Sequence, residues 1–233
     1  MPTAIITGAT QGIGAAIARK LASEKYTLCI CSRNETELNE FGSELKELGS
    51  PEVFTQAVDL SETDAAKDFA HFGLDSLGKV DILVNNAGVF IPGDICDEPD
   101  GQLEKMIQLN LYAAYAITRI IAPSMKSKQK GHIFNMCSVA SLKAYPQGGS
   151  YSISKYALLG FSENLRFELM QHQIKVTSIC PGATYSRSWQ DSGVPEERLI
   201  PADDVASIVW TASQLAVSTN LETIVVRPQF GDL

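Results

Sequence analysis

The chain has 233 residues, 45% of them hydrophobic and 20% charged, with a formal net charge of −8 and a pI near 4.9. That is enough chain for one large α/β domain with a sizeable core, at an ordinary globular composition. The acidic balance argues against a nucleic-acid surface and against binding to anionic membranes, and it leaves room for a small anionic ligand in a local cationic pocket. The opening "MPTAIITG" runs directly into a strand pattern without the features of a secretion signal, and no apolar run reaches the roughly 18 residues of a membrane span. Five cysteines, at 29, 31, 96, 137 and 180, are odd in number and scattered. They read as reduced thiols, which places the chain in the cytoplasm.

Short apolar runs alternate with helical patterns along the whole chain. "TAIITG" (3–8) is followed by Ile13, Ile17 and Leu21 at helical spacing. "YTLCICS" (26–32) precedes a helix through Leu38, Phe41, Leu45 and Leu48, which Gly49 and Pro51 stop. "EVFTQAV" (52–58) leads into a third helix that Ser61 is placed to cap. "VDILVNN" (80–86) is a fourth strand, and a long helix over about 102–122 ends near Pro123. "HIFNMCS" (132–138), a helix over 150–172, "KVTSIC" (175–180), a helix over 202–217 and "TIVVR" (223–227) complete the series. Nearly continuous apolar strands mean helices on both faces. The pattern predicts one doubly wound, mostly parallel, seven-stranded sheet of Rossmann type, a single domain over 1–233. Residues 88–101 and 183–201 read as loops that shape a substrate pocket.

The first strand ends in "TGATQGIG". Gly8 permits a tight turn, Gly12 lets the backbone approach a pyrophosphate, and Gly14 allows helix to pack on strand. The helix N-terminus adds oriented N–H groups. The strand–turn–helix context makes this a dinucleotide-binding turn, although its spacing differs from G-x-G-x-x-G.

"TG-x-x-x-G-I-G", "NNAG" (85–88), Asn110, Ser138, the pair in "YSISK" (Tyr151 and Lys155) and "PG" (181–182) occur together, in order, over nearly the whole chain. In this the chain resembles the classical short-chain dehydrogenase/reductase family. The resemblance implies a hydride-transferring oxidoreductase, with Gly8, Thr10, Gly12, Ile13, Gly14, Asn86, Ala87, Gly88, Pro181 and Gly182 around the cofactor. A threonine commonly stands where Ser186 does, contacting the nicotinamide amide, and Thr184 is the nearby alternative. Asp59 sits where the family's acid meets adenine, and a turn residue or helix cap is its other reading.

An NAD site usually places a carboxylate about 20 residues beyond the turn. Here the second strand ends in "CSRN", without an acid. Arg33 can meet a 2′-phosphate and Ser32 can donate a hydrogen bond to it, which predicts NADP(H).

Tyr151 and Lys155 share one helix face. A tyrosine has an unperturbed pKa of about 10, so a phenol needs a nearby ammonium to serve as an acid/base near neutral pH. By resemblance, Tyr151 is the acid/base, Lys155 its tuner and ribose clamp, Ser138 the group that orients the substrate carbonyl, and Asn110 the holder of a water in the proton relay. No metal is expected, because His71, His132 and His172 lack ligand spacing.

Tyr145, Tyr185 and Trp189 are candidate pocket walls. The segments "PGATYS-x-x-W" and "RPQFGD" are similar to those of sepiapterin-reductase-type members, in which a C-terminal acid anchors the pterin; Asp232 is the candidate here. Small diketones, 3-oxoacyl thioesters and a non-catalytic NADP(H)-binding regulator are the other readings. Leu111, Ala114 and Tyr115 on helix 102–122, with Leu158, Phe161 and Leu165 on helix 150–172, form the expected homodimer contact, with a tetramer as the alternative.

Overall fold

The computed structural model describes residues 1–189 and 193–232. Seven strands form its sheet: β1 (Thr3–Thr7), β2 (Thr27–Ser32), β3 (Val53–Ala57), β4 (Ile82–Asn85), β5 (Gly131–Met136), β6 (Ile174–Pro181) and β7 (Thr223–Val226). Their order is β3-β2-β1-β4-β5-β6-β7 and every neighbouring pair is parallel. The direction of winding reverses between β1 and β4, and the strand ends at that switch point frame a crevice.

The helices are α1 (Gly12–Ser23), α2 (Glu35–Glu47), α3 (Thr63–Leu77), α4 (Gln102–Ile107), α5 (Ala113–Lys128), α6 (Gly149–Leu169) and α7 (Ala202–Gln214). Strand β1 shows why the strands lack polar alternation. Ala4 and Ile6 pack with Ile17, Leu21, Leu38 and Val209 on one face, while Ile5 packs with Phe69, Ile117 and Leu165 on the other. Each such Ile, Leu, Val or Phe side chain contributes about 1.5–3 kcal/mol on burial. The edge strands β3 and β7 are the exceptions: β3 is mostly half-buried and alternate residues of β7 are exposed.

Several details depart from the sequence reading. The long helix does not stop at Pro123 but runs on to Lys128. A proline in a helix interior costs about 3 kcal/mol. Here the lost hydrogen bond points at the Arg119 carbonyl on an exposed face, and burial of Ile121, Ala122 and Met125 offsets it. Ser61 does not cap α3, whose N-cap is Glu62; Ser61 instead donates its N–H and hydroxyl to Asp59 Oδ1, at 2.9 and 2.7 Å. Three of the six residues expected at a subunit contact, Ala114, Leu158 and Leu165, are buried within the monomer. Their stripe faces the sheet, whereas Tyr115, in ring contact with Phe161, is exposed, as is Tyr112.

The five cysteines are free, and burial pushes Cys31 up to about 12. None of the described helices is long and apolar enough to cross a membrane. No cluster of metal-ligating side chains occurs among the described residues.

His132 is buried in β5, with Nε2 2.8 Å from Thr177 Oγ1. Burial, helped by Lys175, holds its pKa down at about 3. Between that value and about 6.5, the unfolded chain binds a proton that the folded chain does not. Stability therefore falls as pH drops through this window, by a few kcal/mol in total at about 1.4 kcal/mol per pH unit. Urea melts at pH 7 and pH 4.5 should show a smaller loss for His132→Gln than for the native chain; equal losses refute the assignment.

Candidate active site

The turn between β1 and α1 is built for close approach. Gly8 and Gly12 adopt positive φ of 62° and 54°. A Cβ on Gly14 would lie 2.3 Å from Gly8 O and 2.4 Å from Asn86 Nδ2. Asn86 braces this turn, donating from Nδ2 to Thr7 O and Gly8 O, both at 2.9 Å. Thr7 completes the brace by accepting from the N–H groups of Asn86 and Ala87 at 2.9 and 3.0 Å. Helix α1 has no side-chain cap, so no side chain at its N-cap takes its first N–H groups, the donors an anion needs. Ser186 crosses directly above: a Cβ on Gly12 would stand 3.2 Å from its Cβ.

At the end of β2, Ser32 donates weakly to Asn34 O at 3.3 Å, and Asn34 caps α2 by accepting from Glu37 N–H. Arg33 is exposed and has no carboxylate at ion-pair distance among the described residues. The carboxyl of Asp59 lies below its ordinary range, chiefly through the backbone and hydroxyl of Ser61 and also through the charge of Arg33. Ser32, Arg33 and Asp59 thus share the far end of the crevice.

The catalytic candidates converge where β4 and β5 end. Asn110 lies in a π turn (Gln108–Tyr112) that joins α4 to α5. Its Oδ1 accepts from Val89 N–H at 2.7 Å, and its Nδ2 donates to Val89 O and Ser154 Oγ, both at 2.9 Å. Lys155 is buried, and its ammonium donates to Met136 O at 2.7 Å and stands 5.8 Å from the centroid of the Tyr151 ring. A Cβ on Gly88 would come within 3.4 Å of that nitrogen. Two residues past Met136, Ser138 accepts from Ala140 N–H at 3.1 Å, which leaves its own hydroxyl hydrogen to donate.

Pro181 ends β6, and Gly182 N–H returns to Val226 O at 2.8 Å. Thr184 is buried and donates to Gly182 O at 3.0 Å. The segment beyond it closes on itself, Tyr185 N–H donating to Ile200 O at 2.9 Å. Tyr185 and Trp189 are half-buried there, and residues 190–192 of the expected loop lie outside the described residues. Tyr145 stands near Tyr151; burial, then the neighbouring phenol, raises its pKa. Tyr145 also lines a depression of about 450 Å³ with Ile95, Ile153 and Tyr156. Asp232 does reach the strand ends, 3.7 Å from a Cβ built on Gly182, and its Oδ2 is held by Arg227.

The sequence reading missed two neighbours of this site besides Thr7. Phe90 packs edge-on against Tyr151, with ring centroids 4.9 Å apart. Glu98 accepts from Ser150 N–H at 2.8 Å, immediately before Tyr151.

This fold, with a braced glycine turn at its switch point and a Tyr–Lys pair beyond the strand ends, defines a dinucleotide-dependent oxidoreductase. A short chain dehydrogenase family model matches residues 2–196. The chain belongs to the short-chain dehydrogenase/reductase family and is an oxidoreductase acting on alcohol or carbonyl groups. It is 31% identical, over 88% of its length and 79% of the relative's, to a diacetyl reductase of Staphylococcus epidermidis that forms (S)-acetoin. A metagenomic short-chain oxidoreductase in complex with NADP superposes with a TM-score of 0.85 at 33% identity, covering 98% of this chain and 97% of that one. The alcohol dehydrogenase of Thermococcus sibiricus complexed with 5-hydroxy-NADP superposes with a TM-score of 0.91 at 27% identity, covering 100% and 99%.

Proposed function

We propose that this chain is an NADP(H)-dependent reductase of small carbonyl compounds, with Tyr151 as its acid/base. The observation that carries the reading is the buried Lys155 ammonium, tied to the end of β5 beside Gly88 and lying over the Tyr151 ring. The residues present fit the cofactor. The uncapped start of α1 and the braced glycines suit a pyrophosphate, and the lone Arg33 suits a 2′-phosphate. Ser186 or Thr184 would meet the carboxamide end. The cofactor would supply hydride to the carbonyl carbon.

The protein's own part is placement and proton transfer. Ser138 donates its free hydroxyl hydrogen to the substrate oxygen and fixes its direction. Tyr151 donates the proton that the same oxygen takes up, and in reverse accepts it. Asn110 uses both side-chain donors on Val89 and Ser154, so its contribution to a water relay falls to its backbone carbonyl. Loops 88–101 and 183–201 enclose the substrate. The similarity to a diacetyl reductase supports a small diketone or acyloin substrate. The Arg227 contact on Asp232 argues against a carboxylate waiting for a pterin. We place the homodimer contact on the outward faces of α5, the π turn before it and α6, around Tyr112, Tyr115 and Phe161. Light scattering checks it: a monomer refutes the contact and a tetramer refutes the dimer.

NADPH consumption over a panel of diacetyl, aromatic diketones, 3-oxoacyl thioesters and pterins tests the substrate class; turnover confined to thioesters or pterins refutes it. NADPH should be preferred over NADH at least tenfold in kcat/KM. Arg33→Asp should reverse that by about ten- to a hundredfold, the range of one or two charge-assisted hydrogen bonds. Equal use of NADH by the native enzyme sinks the NADP(H) assignment.

A further inference from the structure

Loop 88–101 is fastened to the entry of α6. Gly93 N–H donates to Gln147 O at 3.0 Å, and Gly149 N–H donates to Gly93 O at 3.1 Å. Asp94 Oδ1 accepts from Gln147 N–H at 3.0 Å. Glu98 then takes both donors of Ser150, accepting from its N–H at 2.8 Å and from its hydroxyl. Helix α6 has no side-chain cap of its own at Gly148, so Glu98 serves a first-turn N–H from 52 residues away. Two glycines make the room. A Cβ on Gly149 would lie 2.2 Å from Glu98 Oε1, and one on Gly93 would lie 2.6 Å from Glu98 Cγ. The Ser150 hydroxyl, then its N–H, holds the Glu98 carboxyl below its ordinary range. The other end of the same loop carries Phe90, edge-on against Tyr151 and otherwise exposed.

We propose that Glu98 is a positioning residue: by tying loop 88–101 to the first turn of α6 it holds Phe90 against Tyr151, where Phe90 forms the wall that selects the carbonyl substrate. This rests on the reading of Tyr151 as proton donor. Glu98 acts through Ser150, so its loss leaves the phenol in place and loosens the wall beside it. The effect falls on KM more than on kcat.

Steady-state kinetics of diacetyl reduction with NADPH provide the test. Glu98→Ala should raise the KM for diacetyl about tenfold or more, with a smaller fall in kcat and an unchanged Kd for NADPH by fluorescence titration. Glu98→Gln should recover most of the loss, because its amide oxygen still accepts from Ser150 N–H. Phe90→Ala should raise KM similarly, and the double variant should be no worse than the worse single one, since both act through one contact. A native KM in Glu98→Ala, a Gln variant no better than Ala, or effects that multiply in the double variant would each overturn the proposal. If Glu98→Ala does not fold, Ser150→Ala removes one arm of the tie. It should give the same KM split and the same non-additivity with Phe90→Ala, and a native KM there is equally fatal. Tyr151→Phe measured alongside separates the two claims: turnover retained in that variant refutes the acid/base reading, whatever Glu98 does.

Discussion

Tyr151→Phe should lower kcat by about a hundred- to ten-thousandfold, the usual contribution of a positioned proton donor, while the Kd for NADPH stays near the native value. The substitution keeps the ring, and with it the edge-on contact with Phe90 at 4.9 Å and the Lys155 ammonium over the ring face. Only the hydroxyl is lost, so binding and chemistry separate cleanly. Retention of more than a few per cent of kcat would remove Tyr151 from the role. Lys155→Ala should behave differently and harm cofactor affinity as well as rate. It also strands the buried Met136 carbonyl, which the ammonium now satisfies at 2.7 Å.

Gly14→Ala should weaken NADPH binding by more than a hundredfold and lower Tm by roughly 2–12 °C. One methyl does this because both of its nearest neighbours are fixed. The Gly8 carbonyl at 2.3 Å is backbone, and the Asn86 amide at 2.4 Å is held by two carbonyls of the same turn. Helix α1 has to move off β1, or the turn has to open. Overpacking of this kind costs about 1–3 kcal/mol, and a chain of this size loses about 2–4 °C for each. Calorimetry and fluorescence titration check both outcomes, and a native melting curve with native affinity would show that the turn has slack.

The strands were legible because their chemistry is one-dimensional. A strand covered on both faces, like β1, is buried at every position, and its unbroken apolar run Ala4–Ile6 survives in the bare sequence. The glycine turn and the Tyr–Lys pair could be picked out because their spacings are short and local, whereas Ser138 was named through the family resemblance. Other features are set by contacts distant in the chain. The apolar stripe of α6 announces Leu158 and Leu165 but not whether they face a sheet or a second subunit. Pro123 reads as a stop, and only the burial of Ile121, Ala122 and Met125 overrides it. Glu98 and Phe90 sit in an aperiodic loop, where no pattern distinguishes a tie from a solvated acid or a wall from a stray aromatic. Thr7 looks like any strand residue until the N–H groups of Asn86 and Ala87 arrive some 80 positions later.

The place of β1 at the point where winding reverses also bears on how the chain assembles as it is synthesised. Strands β2 and β3 add to one side of β1 in chain order, and β4 to β7 add to the other, again in chain order. No strand ever has to be inserted between two already paired. The other side of β1 nevertheless stays unpaired until Ile82–Val84 emerge to meet Ala4–Ile6. During that interval an edge of unpaired N–H and C=O groups, on a strand whose centre Ala4–Ile6 is apolar, is open to any passing strand, the condition that favours mispairing. Nascent chains halted before residue 80 should therefore bind a holdase chaperone and be cut readily by protease. Chains halted after β5 has cleared the ribosome should show the first protected core; protection already complete in the shorter chains would contradict this order of assembly.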